Sequence, residues 1–153
     1  MVAILFFCYI GGMKTYTVGF IFNPNFSKVL LVEKNRPDWQ RGHLNGVGGH
    51  IEPGEESAAC IAREVFEETN LKTRLEDWTF VGDMKPADWR VDVYAHIHAG
   101  APDDAKTATD EKIAWHDVSP LPAAVLSNLH WLVPLSIDKL KHNQFNVCSV
   151  HYT

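Results

Sequence analysis

Between Gly48 and Leu71 the chain reads GGHIEPGEESAACIAREVFEETNL, and no other stretch restricts its fold so tightly. Two adjacent glycines allow close backbone approach, and Pro53-Gly54 marks a turn. Ser57 to Thr69 then reads as a helix, with Ser57 as a suitable N-cap and strong helix formers behind it. On that helix Glu64, Glu67 and Glu68 stand at i, i+3 and i+4. At ~100° per residue they share an arc of about 100°. Ala58, Ala62, Val65 and Phe66 lie opposite and offer a face for packing on a sheet. Arg63, four residues before Glu67, is spaced to pair with it. Three like charges on one face repel, and a hard divalent cation such as Mg²⁺ resolves the conflict while keeping waters for phosphates. Taken alone, E-x-x-E-E is more often the pattern of a solvated acidic face.

Around this helix the apolar runs alternate as strands do. Lys14 to Asn23 and Lys28 to Lys34 form a pair across the Asn23-Pro24-Asn25 turn. Arg36 to Asn45 is a polar loop holding Trp39 and His43, and Gly46 to Glu52 is a glycine-rich strand or strand edge. Asp77 to Met84 and Trp89 to His98 follow as strands, then Lys112 to His116 and a closing Phe145 to Tyr152. Ser127 to Lys141 reads as a second helix with Pro134 as a kink. There is no repeat and no linker. The expectation is one α+β domain, a mixed sheet sandwiched between helices as α/β/α.

The 153 residues suit one domain with a substantial core. A formal net charge of −5 leaves no basic surface for holding long nucleic acid. It does not exclude a small phosphorylated ligand, because a metal can supply local positive charge. Three cysteines (Cys8, Cys60 and Cys148) lack C-x-x-C spacing, which fits a reducing, cytoplasmic setting better than a disulfide or zinc framework. His96 and His98 alternate along one strand without the rest of a zinc ligand set. The apolar run Val2 to Ile10 is far shorter than the ~20 residues that span a bilayer, and lacks the charged start of a secretory signal. Residues 1–12 are read as a leader or extended N-terminus before a domain at 13–153. An upstream start codon or a vector-derived leader, with Met13 as the natural start, is favoured over an extra apolar edge segment.

The stretch from Gly49 to Leu71 resembles the Nudix box, G-x5-E-x7-R-E-U-x-E-E-x-G-U, where U is a bulky apolar residue. Gly49, Glu55, Arg63-Glu64-Val65, Glu67-Glu68 and Leu71 fill eight of its nine specified positions. Asn70 replaces the last glycine, just past the helix, where a left-handed backbone is wanted and Asn is the next-best residue. The resemblance implies a Nudix fold over roughly Met13 to Tyr152 and a Nudix hydrolase acting on phosphoric anhydrides. It implies Mg²⁺, with Mn²⁺ as substitute, held by Glu64 and Glu68, with Glu67 assisting and the Gly48 carbonyl as a further ligand. Gly49, Glu55 and Arg63 would support the loop–helix geometry. Glu64, Glu68 and Glu111 are candidates for the general base. Glu111 enters because Glu111-x-x-x-Trp115 resembles an acidic segment that some members place near the metals; a plain surface carboxylate is the other reading.

The flanks bear on the substrate. Leu44-Asn45-Gly46-Val47-Gly48-Gly49 resembles the W-N-G-x-G-G approach of nucleoside-triphosphate hydrolases, with Leu44 in place of the Trp. Asn45 is thus either a base-reading residue or turn-forming Asn before Gly. Ser127 and Asn128 stand where related enzymes use Asp to read a purine, which weighs against oxidised-purine specificity. Trp39 and Trp89, in polar loops, are placed to stack on a base, and Trp131 is read as core. The leading expectation is hydrolysis of a nucleoside or deoxynucleoside triphosphate to monophosphate and pyrophosphate, in the manner of nucleotide-pool sanitising. ADP-ribose or a nucleoside diphosphate sugar stands second, supported by Pro86 shortly after the box. RNA decapping is disfavoured by the missing basic patch, and a non-catalytic nucleotide-sensing module by the intact carboxylates. The partner is a small nucleotide, with no long nucleic acid and no membrane; Nudix domains often pair as homodimers. Base, sugar and pathway are not encoded in any motif.

Overall fold

A computed structural model describes residues 12–153 of the chain. The leader expected over residues 1–12 falls outside them except for Gly12, as does Cys8. The strands are β1 (Lys14–Phe22), β2 (Lys28–Glu33), β3 (Leu44–Asn45), β4 (Thr79–Lys85), β5 (Trp89–Ile97), β6 (Ile113–Asp117) and β7 (Cys148–His151). The helices are α1 (Ser57–Thr69) and α2 (Leu129–His142). Among the described residues seven strands join one mixed sheet in the order β3-β2-β1-β5-β4-β7, with β6 paired to β2. β1 and β5 run parallel in unbroken register from Lys14↔Trp89 to Phe22↔Ile97.

Such a central strand must be covered on both sides, and β1 is buried from Thr17 through Phe22. Its alternation sends Val18, Phe20 and Phe22 to one face, where Leu129, Leu132 and Val133 of α2 pack. Ile21 points to the other, against Ile61 and Val65 of α1. The expected α+β sandwich is therefore the observed one.

Several local expectations need correction. The run Gly46 to Glu52 is not a regular strand. It follows β1 antiparallel through the isolated bridges Gly19↔Val47 and Tyr16↔His50. Gly48 interrupts the ladder with φ +157°, and a Cβ there would lie 2.1 Å from the Thr17 carbonyl oxygen. Ser57 is the first helical residue rather than the N-cap; Glu56 is the cap, in extended conformation. The Ser57 hydroxyl donates to Asp92 at 2.6 Å and accepts from the Tyr94 hydroxyl at 3.0 Å, tying the helix start to β5. Phe66 is 43% exposed, because the strip of α1 facing the sheet runs through Cys60, Ile61, Val65, Glu68 and Thr69. The carboxylate face thus adjoins the core instead of opposing it. α2 starts at Leu129, leaving Ser127 outside it and Asn128 as its cap, and continues through an exposed Pro134. Asn70 ends α1 at φ 60°, in the left-handed conformation expected of it, with its N–H on the Phe66 carbonyl at 2.9 Å. Among the described residues no helix is long and apolar enough to cross a membrane.

Because Ile61 is fully buried between α1 and the sheet, Ile61→Ala should cost about 2–5 kcal/mol. Urea denaturation monitored by tryptophan fluorescence would measure it.

Candidate active site

Arg63 organises the site from the middle of α1. Its Nε and Nη2 donate to the two carboxylate oxygens of Glu55 at 2.7 and 2.9 Å, a bidentate pair across the loop before the helix. Nη2 also reaches the His50 carbonyl at 3.1 Å, and Nη1 reaches Glu64 at 3.0 Å and Glu67 at 3.3 Å. One guanidinium therefore binds the loop backbone, the loop carboxylate and two helix carboxylates. The Arg63 hydrogen bonds hold the Glu55 carboxyl down at about 2. Glu55 thus favours the folded state above the ordinary carboxylate range, and that contribution disappears as pH falls towards 2.

The three helix carboxylates occupy different environments. Glu67 points outward, with its side chain 54% exposed. Glu64 is half-buried, its carboxylate carbon 2.5 Å from where a Cβ on Gly49 would sit, so any side chain at 49 would displace the carboxylate. Burial pushes its pKa up. Glu68 is only 8% exposed and its Oε2 has no hydrogen-bond partner among the described residues. Burial raises the Glu68 carboxyl to about 7, opposed by nearby Lys34 and reinforced by Glu64 and Glu111.

Glu111 is not a surface carboxylate. It is 5% exposed, accepts from Lys34 Nζ at 2.8 Å and from the Asn35 backbone N–H at 2.6 Å, and stands near enough to Glu68 to affect its charge. Burial pushes its pKa up, but Lys34 and Asn35 pull it lower, below the ordinary value. Lys34 carried no motif signal, being a lone lysine at the end of an apolar strand.

Among the described residues, no three Asp, Glu, His or Cys side chains form a ready-made metal cage. The donor set nevertheless suits a hard cation that retains waters: Glu64 and Glu68 oxygens beside a glycine backbone, one oxygen buried and unpaired. His96 and His98 serve other contacts, His96 donating from Nδ1 to the Asp77 carbonyl and His98 from Nε2 to the Ala101 carbonyl, at 3.0 Å each. Cys60 lies buried beneath the loop, its thiol pushed up by burial to about 11.

Past Gly48 and Gly49, on the α2 side of the sheet, opens a cleft of about 490 Å³. Trp39, Asn45, Trp89 and Asn128, distant in sequence, all line it, together with Lys34 and Gln40. Trp39 is 70% exposed at its rim. The Asn45 Oδ1 accepts from the Gly46 N–H at 2.8 Å, which leaves its amide donor only a 3.4 Å contact with Gln40. Asn128 contacts the Met84 sulfur at 3.8 Å, and its Oδ1 is buried without a partner among the described residues. Trp131 packs with the core around α2, and Ser127 does not line the cleft.

The Glu68 environment sets a pH dependence in metal-free protein. A carboxyl raised from 4.5 to about 7 in the folded state loses stability as pH climbs through that interval, by an amount on the order of 3 kcal/mol. Thermal unfolding in EDTA should show the wild type weakening between pH 5 and 8, while Glu68→Gln flattens that slope and is the more stable of the two at pH 8.

The sequence model of the NUDIX domain matches residues 13–133. An oxidized purine nucleoside triphosphate hydrolase of Mus musculus is 28% identical over 136 residues, covering 84% of this chain and 82% of that protein. Among solved structures, the MutT NUDIX hydrolase of Burkholderia pseudomallei superposes with a TM-score of 0.68 at 16% identity, over 82% of this chain and 98% of that one. The NUDIX domain of Shewanella oneidensis NrtR, complexed with ADP ribose, superposes with a TM-score of 0.70 at 14% identity, over 86% and 90% of the two chains. With the box residues in place on α1 and the domain match spanning most of its length, this chain belongs to the NUDIX family and is a Nudix hydrolase.

Proposed function

We propose that the enzyme hydrolyses a nucleoside or deoxynucleoside triphosphate to monophosphate and pyrophosphate, with Mg²⁺ as its working cation. The observation that carries this reading is the cleft between the sheet and α2, where two tryptophans and two asparagines meet beside the glycine loop, whose Gly49 borders Glu64, and beside Lys34, which pairs with Glu111. A base stacks on Trp39 or Trp89 there. The unpaired Asn128 Oδ1 offers an acceptor to a base N–H, and the loosely held Asn45 amide offers a donor. The mouse relative, named for hydrolysis of oxidized purine nucleoside triphosphates, supports a triphosphate and nucleotide-pool sanitising.

Glu64 and Glu68 would hold the cation, with Glu67 and the Gly48 carbonyl completing its shell. When bound, it supplies positive charge against the phosphates and acidifies a water. Lys34, which lines the cleft, turns towards the phosphates and gives up its ion pair with Glu111. Glu111, relieved of that charge, orients the attacking water and takes its proton. The water oxygen bonds to the phosphorus, the bond to the bridging oxygen breaks, and pyrophosphate leaves. Arg63 and Glu55 hold the loop and helix in register without touching substrate.

A panel of ordinary and oxidised (d)NTPs, ADP-ribose and UDP-sugars should show Mg²⁺-dependent release of pyrophosphate from a triphosphate, reduced at least ~100-fold in Glu68→Gln. Turnover of ADP-ribose or a UDP-sugar alone would replace the triphosphate reading, and binding without turnover would make the protein a sensor. Independently of activity, millimolar Mg²⁺ should raise the melting temperature of the wild type, and Glu68→Gln should lose that rise.

A further inference from the structure

The loop that presents Glu111 is gripped by three consecutive residues at the end of β2. Lys34 Nζ donates to Glu111 at 2.8 Å, and the Asn35 backbone N–H donates to its other oxygen at 2.6 Å. The Asn35 side-chain amide donates to the Asp110 carbonyl at 2.8 Å. The Arg36 guanidinium holds the Asp110 carboxylate with Nη2 at 2.6 Å and Nη1 at 3.4 Å. The other end of the same loop is tied to the end of α1: the Lys106 N–H reaches the Thr69 carbonyl and the Ala108 N–H reaches that of Glu68. The loop therefore spans from the backbone of Glu68 to the Lys34–Arg36 segment. That segment runs on through Pro37 into the turn bearing Trp39 and Gln40, which line the cleft.

We infer that Asn35 and Arg36 are positioning residues, a clamp that holds Glu111 opposite Glu68 while Lys34 is engaged elsewhere. The inference rests on the catalytic reading of Glu111 given above. Its physical basis is that a carboxylate on a loop with one flexible lysine as its anchor would drift once that lysine turned to substrate. The Asn35 N–H stays on Glu111 because the Asn35 amide and the Arg36 pair fix the two backbones against each other. The Arg36–Asp110 pair is exposed, with side chains 65% and 59% accessible, so it adds little to global stability. A clamp of this kind shows itself in the rate and not in the fold.

The test compares Asn35→Ala, Arg36→Ala, Arg36→Lys, Glu111→Gln and the Arg36→Ala/Glu111→Gln double variant, assayed with dGTP and 8-oxo-dGTP, alongside a crystal structure of Arg36→Ala. Displacing a reacting group by about 1 Å costs up to roughly a hundredfold. Accordingly kcat should fall roughly ten- to a hundredfold in both alanine variants with KM little changed, and Arg36→Lys should recover most of it. The double variant should be no slower than Glu111→Gln, and the crystal should show Glu111 off the Asn35 N–H. Multiplying losses in the double variant, or a Glu111 carboxylate unmoved in the Arg36→Ala crystal, would overturn the clamp. Full activity of Glu111→Gln is a separate result: it removes the catalytic role of Glu111, and the clamp's purpose with it, whatever the crystal shows.

Discussion

The rest of the site depends on the ion pair between Arg63 and Glu55. Four carboxylates, Glu55, Glu64, Glu67 and Glu68, converge on one loop and one helix, and their mutual repulsion works against folding. Arg63 meets three of them directly and anchors the His50 carbonyl as well. Because its fork fits Glu55 in bidentate fashion, it fixes a direction as well as supplying a charge. The loop from Gly48 to Glu55 is thereby set against α1, and the Gly48–Gly49 backbone is brought beside Glu64. Glu68 lies out of Arg63's hydrogen bonds and its Oε2 has no partner among the described residues; burial makes its carboxyl hold a proton to near neutrality in the absence of a cation.

The two faces of the sheet divide the work, and the glycine loop joins them. α1 and its carboxylates pack on one face, while the cleft opens between the other face and α2. Gly48 makes the connection: it lies against the Thr17 backbone where no side chain fits, and it lines the cleft while its neighbour Gly49 accommodates Glu64. A nucleotide lying across this loop would put its base on the α2 side and its phosphates towards the α1 carboxylates. On the proposed reading, the sheet itself would separate base recognition from phosphate chemistry.

Much of the fold was legible in local patterning. The strands of β1 and β2, the extent of α1 and the left-handed Asn70 follow from alternation, helix propensity and the special role of Asn after a helix. The errors have a common cause. Phe66 was expected on the packed face because it is apolar, yet orientation of α1 on the sheet is set by Ile61 and Val65 fitting against β1, which turns Phe66 outward and Glu68 inward. Gly46 to Glu52 was expected as a strand or strand edge; it runs along β1 only through isolated bridges, because the Gly48 backbone breaks the ladder. Ser57 looked like a cap, and its hydroxyl was taken instead by Asp92 and Tyr94, residues thirty-five and more positions away.

The sequence by itself determined the family, the helix and its carboxylates, because those depend on spacing along a single element. What only the tertiary structure decided is which carboxylate is buried, that Glu111 is held by Lys34 and Asn35, and that Trp39, Asn45, Trp89 and Asn128 share one cleft. Each of these is a contact between residues far apart in the chain. Burial, charge and hydrogen bonding there are set by how the two helices and the loops close over the sheet, and no local pattern carries that information.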